Sequence, residues 1–588
     1  MARTPRRRGG RTIETVGESA EPMIKLVTEL DAHIQALESA RYSWWLHWRE
    51  LAEYILPRRM RWLYPWNQNW NRGAPLNQNI INNTATIAAR TLAAGMLAGT
   101  TSPAKPWFRM APTNAALAED QDVKVWLEEA RNRMMRIMAA SNYYTSKGVQ
   151  LFDEVVFGTS PMIIYEHPEK VIHCYVPTPG EYFCECDGEF EVSGLYRRYP
   201  LTLSQIASTF GYEAMPPDLQ QAYASAGGQR TREVVICHAV QPNPAWSASA
   251  GSGVDAYGVP RAFKYREVYW IWGRNTEKPL RIRGFFDKPF SALRWDVFGN
   301  DAYGRSPGMD ALGDTKQLQF EEKRKAQGID KMVRPPMVAD ASMKNEPASL
   351  LPGAITYVPQ LNAGVGFKPV YQVIPPITEL QKDIQGVEQR IRDTFFNGLF
   401  QILPVDSTVR TATEIDVRQQ EKMILLGPVL ERNDTEGLGP DIRRIFSICA
   451  RMGVFPPMPP QLRTSSLKIE YVSMLSELQR GSMTTAIERT LQMAGNLVGV
   501  QPDIMDNIDA DVAVREYGSL LRVDPRMMRP DNQVAAIRSN RNAQQAAATG
   551  LQTGAVLAQG AKTLSEADVG GGQNALAALL GQIGGVQT

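Results

Sequence analysis

The sequence predicts an α+β chain, mainly helical, with a β-rich middle and two long helices flanking a small module. Three observations predict it. Apolar residues recur at helical spacing through most of 21–157, and after Gly158 the period shortens to two. From 307 to 399 a polar helix, a Pro/Gly-dense stretch and a second helix then follow one another. At about 150 residues per domain, the length allows three or four structural units with sizeable cores.

Composition narrows the class. The chain is 43% hydrophobic and 21% charged, and its 64 Lys and Arg against 62 Asp and Glu leave a net charge of +2. That is a soluble globular balance, and bulk charge does not advertise a phosphate-neutralising binder, so any DNA contact must be local or geometric. The basic start (Arg3, Arg6, Arg7, Arg8, Arg11) leads into a polar amphipathic helix, so neither a signal peptide nor a membrane span is expected. Five cysteines (Cys174, Cys184, Cys186, Cys237, Cys449) in so long a chain indicate a reducing compartment. Cys184-Glu-Cys186 near His173 and Cys174 invites a zinc reading. The spacing is wrong for a zinc hairpin and the residues alternate along apparent strands, so reduced structural thiols are expected, with no cofactor.

The elements follow in order. Residues 1–20 read as a flexible basic tail. A helix over 22–55 places Ile24, Val27, Leu30, Ile34, Leu37, Trp44, Trp45, Trp48, Leu51 and Ile55 at helical spacing until Pro57 stops it. A second, Ala-rich helix over 78–99 puts Ile80, Ile81, Ile87, Leu92 and Leu97 on its buried side, and helices over 120–139 and 144–157 follow. Gly158 opens period-two alternation over 161–200, with turns at 177–180 and 187–188. A short helix over 203–210 and strands near 233–240, 265–272 and 280–295 complete the β-rich part, with a surface loop at 242–260.

The pair of long helices is the most telling feature. Residues 307–332 form a helix polar nearly all round, which suits a bridge between bodies or one member of a ring of helices. Residues 333–375 form a small separate module. The return helix, 376–399, carries a seam at Ile377, Leu380, Ile384, Val387 and Ile391 in steps of three and four, the pattern for packing on a neighbouring helix. At 1.5 Å per residue each helix spans about 35 Å, so the pair makes a stalk with the module at its far end. Residues 400–410 (FQILPVDSTVR) suit a turn at Pro404 and Ser407. A capping box at Thr411 and Glu414 starts another helix bearing Ile415, Met423 and Leu426, which Gly427-Pro428 interrupts. An amphipathic run over 441–451 directs Ile442, Ile445, Phe446 and Cys449 to a core and ends at Gly453 and a proline cluster. Residues 480–540 read as helices over 484–497 and 503–521. Residues 541–588, rich in Ala, Gly and Gln and charged only at Arg541, Lys562, Glu566 and Asp568, read as a flexible tail rather than a helical barrel.

A search for chemistry returns little. The chain has no G-x-x-x-x-G-K-[ST] phosphate loop, no H-E-x-x-H and no G-x-S-x-G elbow. His33, His47, His167, His173 and His238 show no spacing typical of metal ligands. Trp44, Trp45, Trp48, Trp62, Tyr64, Trp66 and Trp70 interleave with Arg49, Arg58, Arg59, Arg61 and Arg72. Core or interface packing is the expected use, ahead of stacking on single-stranded nucleic acid. Lys316, Lys323, Arg324, Lys325 and Lys331 on the first long helix either face DNA or pair between subunits with Glu321, Glu322 and the acids of the second helix.

The wording of several segments is more specific than their physics. TATE at 411–414, LGP at 426–428, and the exit RMGVFPPMPP at 451–460 belong to an ordered set. The others are WWLHWRELAEYILPRR (44–59), AGMLAGTTSPAKPWFRM (94–110), FGTSPMIIYE (157–166) and YGRSPGMDALGDTKQLQ (303–319). Together these resemble the portal, or head-to-tail connector, family of short-tailed T7-like bacteriophages over residues 25 to 460. The resemblance implies a mainly helical portal fold assembled as a ring of twelve. Its parts are a wing over 21–306 (helical 21–157, β-rich 158–306), stem helices over 307–332 and 376–399, and a clip over 333–375. Further wing helices over 411–479 and a helical crown over 480–540 follow. It also implies that 400–410 is a channel loop, in which Gln401, Pro404, Asp406, Ser407 and Arg410 meet double-stranded DNA without reading bases. The expected function is a non-enzymatic channel at one capsid vertex of the virion, reached after assembly in the bacterial cytoplasm. The implied partners are terminase large subunit, major capsid, scaffolding and tail adaptor proteins, with no membrane. The alternatives are a nuclease of the packaging apparatus, or another minor capsid or internal virion protein.

Overall fold

The computed structural model describes residues 20–63, 78–103, 106–114, 117, 120–225, 229–247, 253–274, 277–333, 337–338, 368–369, 376–400, 426–464, 467–471, 486–496, 508–520, 523, 527–529 and 531–566. They fall into two compact units. One comprises Met1–Ala111, Glu129–Met458 and Leu467–Gln479, and the other Pro112–Glu128, Pro459–Ser466 and Arg480–Thr588. The combination of helices and antiparallel sheets is the α+β class the sequence predicts.

In the first unit, helix α1 (Ala20–Tyr54) buries two successive faces. Leu26, Val27, Leu30 and Ile34 pack on Phe183, Cys237, Val268 and Trp270 of a sheet. Trp48, Leu51 and Ala52 enter the main core, where the Trp48 ring nitrogen donates to the Phe157 carbonyl at 3.0 Å. Helix α2 (Thr84–Thr100) starts later than its apolar pattern suggests, because the Asn82 side-chain oxygen accepts from the Thr84 backbone amide at 2.9 Å. Its buried face is also not the expected one. Ile81 and Ile87 are exposed, and Ala85, Ala88, Ala89, Leu92, Ala93 and Met96 face the core. Small side chains there allow close approach to the helix Tyr143–Phe157, where Gly148 leaves room for Leu97.

After α3 (Gln121–Ala140) and α4 (Tyr143–Phe157), Gly158 caps the helix in the left-handed region at φ +79. The chain enters β2 (Thr159–His167), which pairs antiparallel with β3 (Val171–Tyr175) on one side and β9 (Phe290–Arg294) on the other. The larger sheet has five antiparallel strands in sequence order. They are β4 (Tyr182–Cys186), β5 (Val192–Thr202), β6 (Glu233–Pro242), β7 (Tyr265–Ile271) and β8 (Arg281–Phe285). The single strand expected over 280–295 is thus two, and each joins a different sheet. Helix α5 (Leu203–Phe210) stands where the sequence puts it, with a reciprocal Thr202–Gln205 capping box.

The expected helix over 307–332 is a short turn, Pro307–Asp310, followed by α6 (Leu312–Val333). The return helix α7 spans Ile377–Thr394, and a turn at Phe396 (φ +52) precedes the helical Asn397–Phe400. Between them, β10 (Met337–Val338) pairs antiparallel with β11 (Lys368–Pro369). The expected helix start at Thr411 lies outside the described residues. Among the described residues, helical backbone resumes at Gly427 with Pro428 in the first turn, passes through a π-helix at Asn433–Leu438, and continues as α8 (Gly439–Arg451). Proline is tolerated in a first turn, where its missing N–H has no partner to lose. In α8, Ile442, Ile445 and Cys449 are buried as expected and Phe446 is half-buried, while Gly453 (φ +68) follows the helix end. Strand β12 (Leu467–Tyr471) pairs with β1 (Phe108–Pro112).

In the second unit, α9 (Ala510–Leu520) is joined to α10 (Asp531–Glu566) by a two-pronged Arg538–Asp511 ion pair. Helix α10 corrects the tail reading of 541–588 over residues 541–566, and 567–588 lie outside the described residues. Its alanines and glutamines are good helix formers and outweigh single glycines at 550, 554 and 560.

Candidate functional site

The long-helix pair is where the sequence concentrates its candidate residues. Ile384, Val387 and Ile391 of the seam are buried in the main core, Leu380 packs against it, and Ile377 is half-buried. The seam therefore closes on this chain's own α6 and α2. The pair is antiparallel, and Arg390 fixes its register by donating to Asp314 at 3.1 Å and to Gln317 at 3.5 Å.

One short segment holds both helices. The Gln319 side-chain oxygen accepts from the Ile81 and Asn82 amides at 2.6 and 2.8 Å, and its nitrogen returns a bond to the Asn82 carbonyl at 2.8 Å. The Asn82 side-chain nitrogen donates to Glu388 on α7 at 2.8 Å and to Glu322 on α6 at 3.3 Å.

The candidate stem charges divide sharply. Lys316 turns back to α1, where its Nζ meets Glu50 at 2.8 Å above the Tyr54 ring. Glu321 is buried and accepts from Gln317 at 2.6 Å, and Lys325 pairs with Glu322 at 2.5 Å. Lys323, Arg324 and Lys331 are exposed, with Arg324 lying over the Phe320 ring. The loop candidates Gln401, Pro404, Asp406, Ser407 and Arg410 lie outside the described residues.

The aromatic residues near the start are packing residues wherever they are described. Trp44, Trp45 and Trp48 pack in or against the main core, Arg49 lies over Trp45, and Arg41 lies over Phe183. Trp62 carries the Arg61 guanidinium, while Tyr64, Trp66, Trp70 and Arg72 lie outside the described residues. The five cysteines are scattered: Cys174, Cys184, Cys237 and Cys449 are buried and Cys186 is half-buried. Burial pushes the thiols of Cys184 and Cys449 up to about 12. His238 is buried between strands, where its Nε2–H donates to the Glu267 carboxylate at 3.0 Å, and burial lowers it to about 4, so it is neutral.

Sequence reasoning missed a buried ionic cluster around the π-helix. Lys147 of α4 donates to Asp441 at 3.1 Å and to Gln150 at 3.0 Å, and Tyr143 donates to the same Asp441 oxygen at 3.2 Å. Beside them Arg294 grips Glu436 with two bonds, at 2.6 and 3.1 Å. Burial raises Glu154 to about 8, against the pull of Lys147, and raises Asp434 to about 7. On the neighbouring turn burial raises Asp153 to about 7, although Arg59 lies 2.9 Å away. The signal was present in the polar positions 147, 150, 153 and 154, which interrupt an otherwise apolar helix. The cluster locks α4, β9 and the π-helix together. It shows no nucleophile poised on a base, and the described residues hold no group of three or more potential metal ligands.

A family model described as bacteriophage head to tail connecting protein matches residues 27–528. The chain is 36% identical over 533 residues to the probable portal protein of Bordetella phage BPP-1, covering 90% of this chain and 93% of that one. It is 37% identical over 534 residues to the portal protein of Salmonella phage epsilon15, covering 90% and 94%. A chain from the virion of a native gene transfer agent particle overlays with a TM-score of 0.30 at 11% identity, over 65% of this chain and 89% of that one, a likeness too slight to carry weight.

Proposed function

Since the chain belongs to the bacteriophage head to tail connecting protein family, it is a viral portal protein, and we propose that it works as a closed ring through which the genome enters and leaves the head. The observation that carries this reading is identity of more than a third across nearly the whole length of two portal proteins. The stalk of α6 and α7 supports it, because two antiparallel helices leaving a packed body suit a channel wall.

In this reading twelve copies surround double-stranded DNA at one capsid vertex, after assembling in the host cytoplasm. Heterologous contacts close the ring. A terminase large subunit binds at residues 333–375, supplies the ATP hydrolysis during packaging, and is later replaced by tail adaptors. Major capsid and scaffolding proteins hold the rim. The portal itself performs no covalent chemistry. The near-neutral net charge of +2 suits a wall that lets the duplex slide. The loop at 400–410 is assigned to the channel, where it meets DNA sterically.

Negative-stain images and native mass measurement test the assembly, which should give closed rings of about 0.8 MDa for twelve chains of 65.5 kDa. Monomers or dimers at every salt and protein concentration would overturn it. Replacing 401–408 by a short Gly/Ser link should leave rings intact while DNA packaging or retention fails. Normal packaging by that variant would reduce the loop to a connector.

A further inference from the structure

Two positions on the stalk are costly in a lone chain. Phe320, in the middle of α6, is 59% exposed, with only the Arg324 guanidinium lying over its ring among the described contacts. Gly386, in the middle of α7, is also exposed, and a side chain placed there would meet nothing within 4 Å. A helix-interior glycine weakens its helix relative to alanine. Among the described residues, nothing fills the space that it leaves.

The two positions lie at one height. Arg390 bonds Asp314 and Gln317, so in an antiparallel pair the residue four places earlier, Gly386, sits level with 318–321. Rotation about a ring axis parallel to the helices preserves height, so residues that meet between neighbouring copies must be level with each other. Charge agrees. Arg324 and Lys331 share the face of Phe320, at four and eleven residues along α6, and both are exposed. Glu379 and Asp383 share the face of Gly386, at seven and three residues before it on α7, and Lys382, four before it, stands on the same face, so that exposed face carries two acids and one base. By the same register Arg324 is level with 380–383, which includes Asp383, and Glu379 lies about one residue, roughly 1.5 Å, beyond.

We propose that in the assembled ring Phe320 of one copy seats over Gly386 of the next, with Arg324 against that neighbour's Glu379 and Asp383. The occupant of each exposed face is thus a second copy of this chain, meeting it through a different face. The contact is heterologous, as ring closure requires. This inference rests on the ring reading above.

The test co-expresses two variants, Phe320→Cys and Gly386→Cys, each carrying Cys186→Ser to remove the half-exposed native thiol, so that no chain can link to itself. In rings verified by negative stain, mild oxidation or a short bismaleimide should give covalent dimers from the mixture and none from either variant alone. Intact mixed rings without dimers would overturn the proposal and leave the ring reading standing. Wild-type protein that never forms rings would sink both. A second arm uses Arg324→Glu, which should lower the ring fraction about tenfold or more by setting like charges together. Adding Glu379→Lys and Asp383→Lys should restore it. Full assembly of Arg324→Glu would again overturn the contact.

Discussion

Lys147 donates through Nζ to Oδ2 of Asp441 at 3.1 Å, and both side chains are closed off from solvent. The pair joins α4 to α8 across a separation of 294 residues. A buried ion pair costs desolvation on both sides, so removing one partner hurts more than removing both. Lys147→Met should destabilise the folded chain by about 3–5 kcal/mol, and Lys147→Met with Asp441→Leu should recover most of that loss. Urea unfolding of both variants checks this; equal losses would show that the pair itself is favourable.

Acid groups held protonated set the pH response. Burial raises Glu154 to about 8 and Asp434 to about 7, so the fold keeps protons that the unfolded chain releases in the ordinary carboxylate range. The folded state binds more protons across that window, and stability falls as pH rises from the ordinary carboxylate range to about 8. Glu154→Gln removes one contributor. Its thermal midpoint should decline less than wild type between about pH 5 and 9; parallel curves would refute the assignment.

Two glycines with positive φ separate backbone strain from collision. At Gly158 an added Cβ would lie 2.0 Å from the Gly304 carbonyl oxygen, whereas at Gly453 it would meet nothing within 4 Å. Gly453→Ala should cost about 1–2 kcal/mol for the left-handed backbone alone. Gly158→Ala should cost well over about 4 kcal/mol, or yield no soluble chain. Comparable melting temperatures for the two would contradict this.

Thiol reactivity should follow burial. Of five cysteines, only Cys186 is half-exposed, so a thiol reagent should modify the native protein fast at that position and slowly elsewhere. Cys186→Ser should abolish the fast phase. All five should react after denaturation, and a stoichiometric zinc per chain in elemental analysis would contradict the scattered positions.

Most helices and strands were legible because their period is a local property. Gly158 marks the change from helix to strand, and the Thr202–Gln205 box marks α5 within a residue. The failures have physical causes. Ile81 and Ile87 looked like core on hydrophobicity, but α2 approaches its neighbours so closely that only its alanine face fits. The split of 280–295 depends on pairing with strands far away in the chain. The loop charges Asp406 and Arg410 fall outside the described residues. Of the stem charges, Lys316 is spent on Glu50, 266 residues away in the chain, which no spacing rule reveals, whereas Lys325 meets Glu322 at the three-residue spacing of one helix face.

Asn82 has a mechanical consequence. Its one amide group holds Glu322 and Glu388 together, so α6 and α7 cannot shear past each other by a helical turn, about 5.4 Å, without breaking both bonds. Below that rivet the two helices transmit axial load as a single strut into the start of α2. Leu380, packed against the core one turn before Ile384, keeps α7 tied to the body beyond the rivet, so a force applied along the stalk reaches the core as a push on both helices at once.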